Sequence, residues 1–398
     1  MLKKNLSIYL LILLLAGLFW SRALLSMTVL VGALIAIIQF IKTDRSIFRT
    51  TIFIWSLVPL ILWLLGAWQD PRGQYNFDYL LTLSAYPAIV LMVQASQRTL
   101  VENVWIKVWL LATALALTYP LFWYLKDFTA ANQAYGTGRS LPTFMDTDHV
   151  RFSIFLCSSL LFILFTPIFR KKVKTILSTI LLILILFLSV RTGWVLAICI
   201  VCMYALHLYL QSAQKKIQAL IIGAAALCLV FVVSYYSFPT MQQKIAYSIW
   251  EWKQYQPGVY DVNFSDGSRR NINYAAWEYI KSTTSVNTGW QGIPAALHDS
   301  FAKYFIGQPI EFGWPFNQWL FWWMGSGWWG MLLFTLWLIY PAIKGLKQNN
   351  LAIVSWTIAI ILSCLVETTL NYQYGVLLHI IPIAMLWKNS TISRSDNS

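Results

Sequence analysis

Charge is what this chain has least of. Only 11 % of its 398 residues are Asp, Glu, Lys or Arg, against about 25 % in ordinary soluble domains. A water-soluble globule is excluded, because too few charged side chains remain to wet its surface. Ionisable groups are also scarce inside the long apolar runs, where Lys107, His207 and His379 all stand towards one end or the other. Ion- and proton-coupled transporters hold such groups near the membrane midplane, so their scarcity weighs against transport. Nucleophile-elbow, phosphate-binding glycine-loop, HExxH and paired CxxC motifs are missing too. Serine-hydrolase, ATPase and zinc-enzyme readings are left without support, and no cofactor or metal is implied. The five cysteines all fall in apolar runs. Cys199 and Cys202 share a CxxC spacing but sit mid-helix, where packing explains them better than redox or metal chemistry.

What is present is hydrophobic length. Hydrophobic residues make up 58 % of the chain. Twelve runs approach or exceed the roughly 20 residues that cross a hydrocarbon core as a helix: 6–20, 22–41, 51–68, 79–96, 103–124, 152–169, 174–190, 192–210, 217–236, 316–343, 350–366 and 374–388. They are continuously apolar rather than alternating, which excludes a β-barrel. The expected fold class is an all-α polytopic membrane protein with about twelve transmembrane helices. A large, partly helical extracytoplasmic loop would lie between helices nine and ten.

The net charge of +14 is topogenic rather than a nucleic-acid surface. With Lys3 and Lys4 in the cytoplasm, alternate short gaps collect the basic residues: Lys42, Arg45, Arg49, Arg98, Arg170–Lys174, Lys215, Lys216, Lys344, Lys347, Lys388 and Arg394. That is the positive-inside pattern, and it puts both termini in the cytoplasm of a multi-pass protein. The first run follows two lysines as a secretory signal would, but it lacks a convincing small-residue cleavage site, so an uncleaved first span is expected. The division that follows is 1–236 for helices one to nine, 237–315 for the loop, 316–388 for helices ten to twelve, and 389–398 for a polar cytoplasmic tail.

Within the loop, Met241–Tyr255 and Tyr274–Lys281 have helical spacing, with Pro257-Gly258 and Asp266-Gly267-Ser268 read as breakers between them. Trp250, Trp252, Trp277, Trp290 and Trp314 crowd this region. They suit interfacial anchoring, and stacking against sugar rings is the alternative. Polar residues collect on the same side of the membrane: Asp146, Asp148, His149, Arg151, Arg191, Arg269, Arg270, His298, Asp299 and Glu367. Arg191 is the sharpest of them, lying between two spans joined only by Leu188–Gly193. Its planar guanidinium suits bidentate contact with phosphate oxygens, and a snorkelling arginine is the bland alternative. Glu367, in Glu367-Thr-Thr-Leu-Asn-Tyr-Gln373-Tyr-Gly375, is placed to balance Arg191 or to act as a base.

Four stretches resemble the bacterial O-antigen ligase and polymerase superfamily. Ser189-Val-Arg191-Thr-Gly193 resembles its arginine motif opening the eighth span. Ser268–Gly292, with Arg270, Tyr274, Ala276, Gly289 and Gly292, resembles its loop motif. Phe316-Asn-Gln-Trp-Leu320 through Gly327-Trp-Trp-Gly330 resembles the opening of its tenth span, and Glu367–Gly375 the acidic turn before its last. The resemblance implies a glycosyl transfer at the outer face of the bacterial inner membrane, in surface-polysaccharide polymerisation or ligation. The donor would be an undecaprenyl-diphosphate-linked oligosaccharide, the acceptor a glycan or a lipid-linked group, with membrane lipids around the protein and no nucleic acid. Arg191, Arg270, Asn317 and Gln373 would bind diphosphate or glycan. The family's acceptor-activating histidine falls at Phe316, so Glu367, His298 and His149 stand as candidates for that role. Its loss favours polymerisation over ligation. A non-catalytic exporter or flippase, or an inactive member acting as an assembly partner, are the competing readings.

Overall fold

A computed structural model describes residues 4–43, 45–68, 76–97, 102–145, 148–211, 216–256, 264–283, 288–308, 310 and 312–387. Among them lie sixteen α-helices. They are α1 (Lys4–Trp20), α2 (Arg22–Thr43), α3 (Thr51–Trp68), α4 (Phe77–Gln97), α5 (Glu102–Lys126), α6 (Phe128–Gly136), α7 (His149–Phe165), α8 (Lys171–Phe187), α9 (Arg191–Gln211), α10 (Lys216–Ser237), α11 (Pro239–Gln254), α12 (Asp266–Ser282), α13 (Gly289–Tyr304), α14 (Gln318–Lys347), α15 (Leu351–Val366) and α16 (Gln373–Leu386). Each of the twelve apolar runs coincides with a helix. By length and composition, α2, α3, α4, α5, α9 and α14 can each cross a membrane; α1, α7, α15 and α16 are apolar but shorter.

The bundle is organised around α7, α15 and α16. Nearly every side chain of α7 is buried, and α15 packs against α14, α9, α16 and α7. Lipid tails are as apolar as leucine, so association here rests on close packing and interhelical hydrogen bonds. Trp55 and Trp337 show both. Their rings stack at 5.3 Å, and each indole donates to the other's carbonyl, Trp55 Nε1 at 2.9 Å and Trp337 Nε1 at 3.1 Å. Trp109 on α5 donates to Ser158 on α7, and Thr113 pairs with Ser159 one turn along. Tyr86 Oη meets His379 Nδ1 at 2.9 Å in the same interior.

The 237–315 stretch is more helical than the sequence suggested. It forms α11, α12 and α13, the last of which was not anticipated. Asp266-Gly267-Ser268, expected to break helical structure, is instead the first turn of α12. Aspartate and serine favour helix starts for the same reason they favour turns, which is that their oxygens take up free backbone N–H groups. Pro257-Gly258 lies outside the described residues, as do Asp146 and the 389–398 tail.

Trp290 overturns the expectation of an interfacial or sugar-stacking role. It is 1 % exposed, sits among Tyr79, Phe321 and Trp322, and donates from Nε1 to Trp63 O at 2.8 Å. Gly66 and Gly325 make room for it, since a Cβ at either would collide with the indole. α14 is broken where it receives this plug. Gly327 has φ 71° and ψ 179°, a conformation open mainly to glycine. The Met324 carbonyl accepts from the N–H and hydroxyl of Thr288, at the start of α13. The loop is thus pinned into the bundle beside the opening of α14.

Candidate functional site

The tight connection between α8 and α9 presents Arg191 as the first residue of α9. Ser189 takes a positive φ of 54°. Tyr135 Oη donates to the Leu188 carbonyl at 2.9 Å and Thr240 Oγ1 to that of Phe187 at 2.8 Å. Held this way, the guanidinium of Arg191 reaches the loop helices. Its Nη1 and Nη2 donate to Asp266 Oδ2 and Oδ1 at 2.5 and 2.8 Å, and Nη1 also to Ser248 Oγ at 3.2 Å. The fork matches a planar two-oxygen partner, the geometry a phosphate also offers.

Asp266 is fixed in turn. Glu251 Oε1 accepts from the backbone N–H groups of Asp266 and Gly267 at 2.5 and 2.9 Å, capping α12 where its free donors and dipole favour an anion. Lys244, 5 % exposed, donates from Nζ to Gly138 O at 2.9 Å. Burial, and then the nearby Arg191, bring its ammonium down to about 8, with Asp266 and Glu251 opposing.

A second cluster lies across α12. Arg269 pairs with Glu367 at 3.4 Å, and its guanidinium carbon stands 5.0 Å from the Phe316 ring centroid. The Phe316 N–H donates to Asn273 Oδ1 at 2.7 Å. Arg151 pairs with Asp148, donates to Thr368 O at 3.2 Å and lies 4.0 Å from the Tyr372 ring. Burial raises the Glu367 carboxyl above its ordinary range, and Arg269 and Arg151 pull against that rise. Consecutive residues on a helix point about 100° apart. So while Arg269 turns to this cluster, Arg270 turns to α11, where its guanidinium sits 5.0 Å from the Trp252 ring and 5.1 Å from that of Tyr255. Two cationic clusters therefore flank the first turn of α12.

The structure separates the residues anticipated from sequence. Arg191, Arg270 and Glu367 all lie at this junction, but the partner expected for Glu367 was Arg191. Arg269 takes that place, because Asp266 already occupies the Arg191 fork. Asn317 is engaged at both ends: Oδ1 caps α14 through Trp319 N and Leu320 N, and Nδ2 donates to Leu365 O. Gln373 donates to Ser26 Oγ at 2.9 Å, tying the start of α16 to α2. His149 opens α7 next to Asp148. His298 stands on the solvent face of α13, its side chain 65 % exposed beside Asp299. Lys244, Glu251 and Asp266 were missed. For Lys244 and Glu251 the signal was a polar stripe with Ser248 at helical spacing along α11. Among the described residues no three His, Cys, Asp or Glu side chains converge as a metal ligand set.

A multi-helix membrane protein with paired arginine clusters where its loop meets the bundle is the class that fold and site define. Residues 176–335 match the family model described as O-Antigen ligase. That stretch runs from α8 into α14 and includes Arg191, Arg269, Arg270 and Phe316. No curated protein matches the chain. Over that stretch the chain is similar to the O-antigen ligase family of membrane glycosyltransferases, whose work is lipid-linked glycan transfer in surface-polysaccharide assembly.

Proposed function

We propose that the protein transfers a glycan from an undecaprenyl-diphosphate carrier to an acceptor hydroxyl at the outer face of the bacterial inner membrane. The observation that carries this reading is the Arg191 fork, closed on a carboxylate at the junction of loop and bundle. A diphosphate oxygen pair takes the place of Asp266 there, and Arg270 adds a second cation from across the α11–α12 interface. The lipid tail lies along the helices while the sugars project towards α11–α13.

In the reaction the acceptor oxygen bonds to the anomeric carbon and the bond from that carbon to the phosphate oxygen breaks. The diphosphate leaves with the electron pair, its growing charge stabilised by arginines already oriented for it. The acceptor proton passes to Glu367. Its carboxyl is buried and shifted upward, as a general base working near neutral pH requires. Arg269 positions it beside Phe316, which stands where the family's histidine does and has no proton chemistry of its own. This replacement favours chain polymerisation over ligation.

The test is to incubate purified protein in lipid nanodiscs with an undecaprenyl-diphosphate oligosaccharide, with and without a lipid A-core acceptor. Elongated carrier-linked product supports polymerisation, and transfer to the core supports ligation. Donor left unchanged in both reactions counts against the reading.

A further inference from the structure

We propose that the cleft beside Arg191 and Arg270 is a sugar-reading subsite, holding the pyranose next to the donor's diphosphate and preferring a neutral ring to an acidic one. This rests on the reading of Arg191 and Arg270 as the diphosphate-binding pair. The cleft opens between α11 and the first turn of α12 and is a shallow surface groove open to solvent, with enclosed room for little more than a water, so a ring would lie on its lining rather than inside it. Ser248, Glu251, Trp252, Tyr255, Asp266 and Arg270 line it. Ser248 and Asp266 are also the partners of the Arg191 guanidinium, so the cleft begins where a bound phosphate would end.

Its lining has the chemistry of a sugar site. Trp252 is 70 % exposed, a large apolar surface left in water at the cleft's edge. Tyr255 is fixed by its hydroxyl, which donates to Asn271 Oδ1 at 3.1 Å. Flat aromatic faces beside a few convergent polar groups suit a ring with one apolar C–H face and a rim of hydroxyls. Most of those polar groups accept. Glu251 is 3 % exposed, and its Oε1 is occupied by the α12 N–H groups. Its Oε2 meets no hydrogen-bond donor among the described residues. A buried carboxylate oxygen left in that state costs free energy that an incoming donor recovers. A sugar hydroxyl or acetamido N–H supplies such a donor, and so does a hydroxyl facing Asp266 once phosphate has displaced it from Arg191. A uronic acid would bring a third carboxylate against these two.

Three probes test this on the purified full chain in nanodiscs: a polyprenyl diphosphate, the same lipid carrying one N-acetylhexosamine, and the same lipid carrying one hexuronic acid. The neutral-sugar probe is expected to bind about tenfold tighter than the bare lipid, the worth of one charge-assisted hydrogen bond. The acidic-sugar probe is expected to bind no tighter than the bare lipid. In Trp252→Ala the neutral-to-bare affinity ratio falls towards one, and Trp252→Phe restores most of it. Glu251→Gln keeps an acceptor for α12 and lowers the same ratio. Equal binding of neutral and bare lipid in the wild type overturns the subsite, as does a ratio unmoved by both Trp252→Ala and Glu251→Gln. Binding that Arg191→Ala abolishes but that shows no sugar preference overturns the subsite alone. If no probe binds the wild type, the diphosphate reading falls and the subsite with it.

Discussion

Asp266 holds the Arg191 fork that the proposed function assigns to the donor's diphosphate, so removing its charge should open the site to the donor. The Arg191–Asp266 pair is part-exposed, with 29 % and 41 % of the two side chains accessible. Solvent screening therefore limits its worth to about 0.2–1 kcal/mol. Asp266 also sits at the start of α12, where an anion adds about 0.3–1 kcal/mol against the helix dipole. Asp266→Asn should cost the fold no more than about 2 kcal/mol from these two contributions together. In exchange, the donor no longer competes for the guanidinium, and a competition of up to 1 kcal/mol becomes a gain in affinity of up to about fivefold. The assay is equilibrium binding of a polyprenyl diphosphate to wild-type and Asp266→Asn protein in nanodiscs, beside a thermal melt of each. Tighter binding with a slightly lower melting point is the expected pair of results. Weaker binding would refute the displacement argument, because it would mean that Asp266 orients Arg191 for the donor rather than occupying its place.

Glu367→Gln should lower turnover by about 10²–10⁴-fold, the usual worth of a general base, while donor binding changes little. In the wild type the rate should fall on the acid side at a pH above the ordinary carboxylate range, since burial raises the Glu367 carboxyl and the base must be ionised. Lys244 gives two pH effects of opposite sign. Its ammonium titrates at about 8 in the folded protein against an ordinary 10.5, so the unfolded chain holds the extra proton between those values and stability rises with pH across that window. Diphosphate binding should instead weaken as pH climbs through about 8, because the lysine loses its charge, and Lys244→Arg should abolish that decline in a binding titration. Trp290→Ala should destabilise the fold by about 3–5 kcal/mol, as emptying a buried tryptophan site does, read as a lowered melting temperature in detergent.

The bundle was legible because its signal is coarse. Twelve apolar runs coincide with twelve helices, and the short Leu188–Gly193 link does form a tight hairpin that points Arg191 at the loop. The loop was harder. Asp266-Gly267-Ser268 serves turns and helix starts alike, and only the tertiary partner, Glu251 on the α12 N–H groups, decides between them. Trp290 looked like its exposed neighbours Trp250 and Trp252, since nothing local marks the pocket that Gly66 and Gly325 open for it from two distant helices. At the site, Arg191 and Glu367 could be picked out as charges beside apolar runs, and Arg270 only through the resemblance of its loop motif to the ligase and polymerase superfamily. Their pairing could not, because whether Glu367 meets Arg191 or Arg269 depends on which face of α12 turns to the bundle.

The most direct measurement is release of undecaprenyl diphosphate from an undecaprenyl-diphosphate oligosaccharide by purified protein, followed together with the length of the glycan product. Wild-type protein should release carrier in step with new glycosidic linkages, and Arg191→Ala should bind donor poorly and release almost none. Wild-type protein that forms no product, or Arg191→Ala that matches it in rate, would contradict the account.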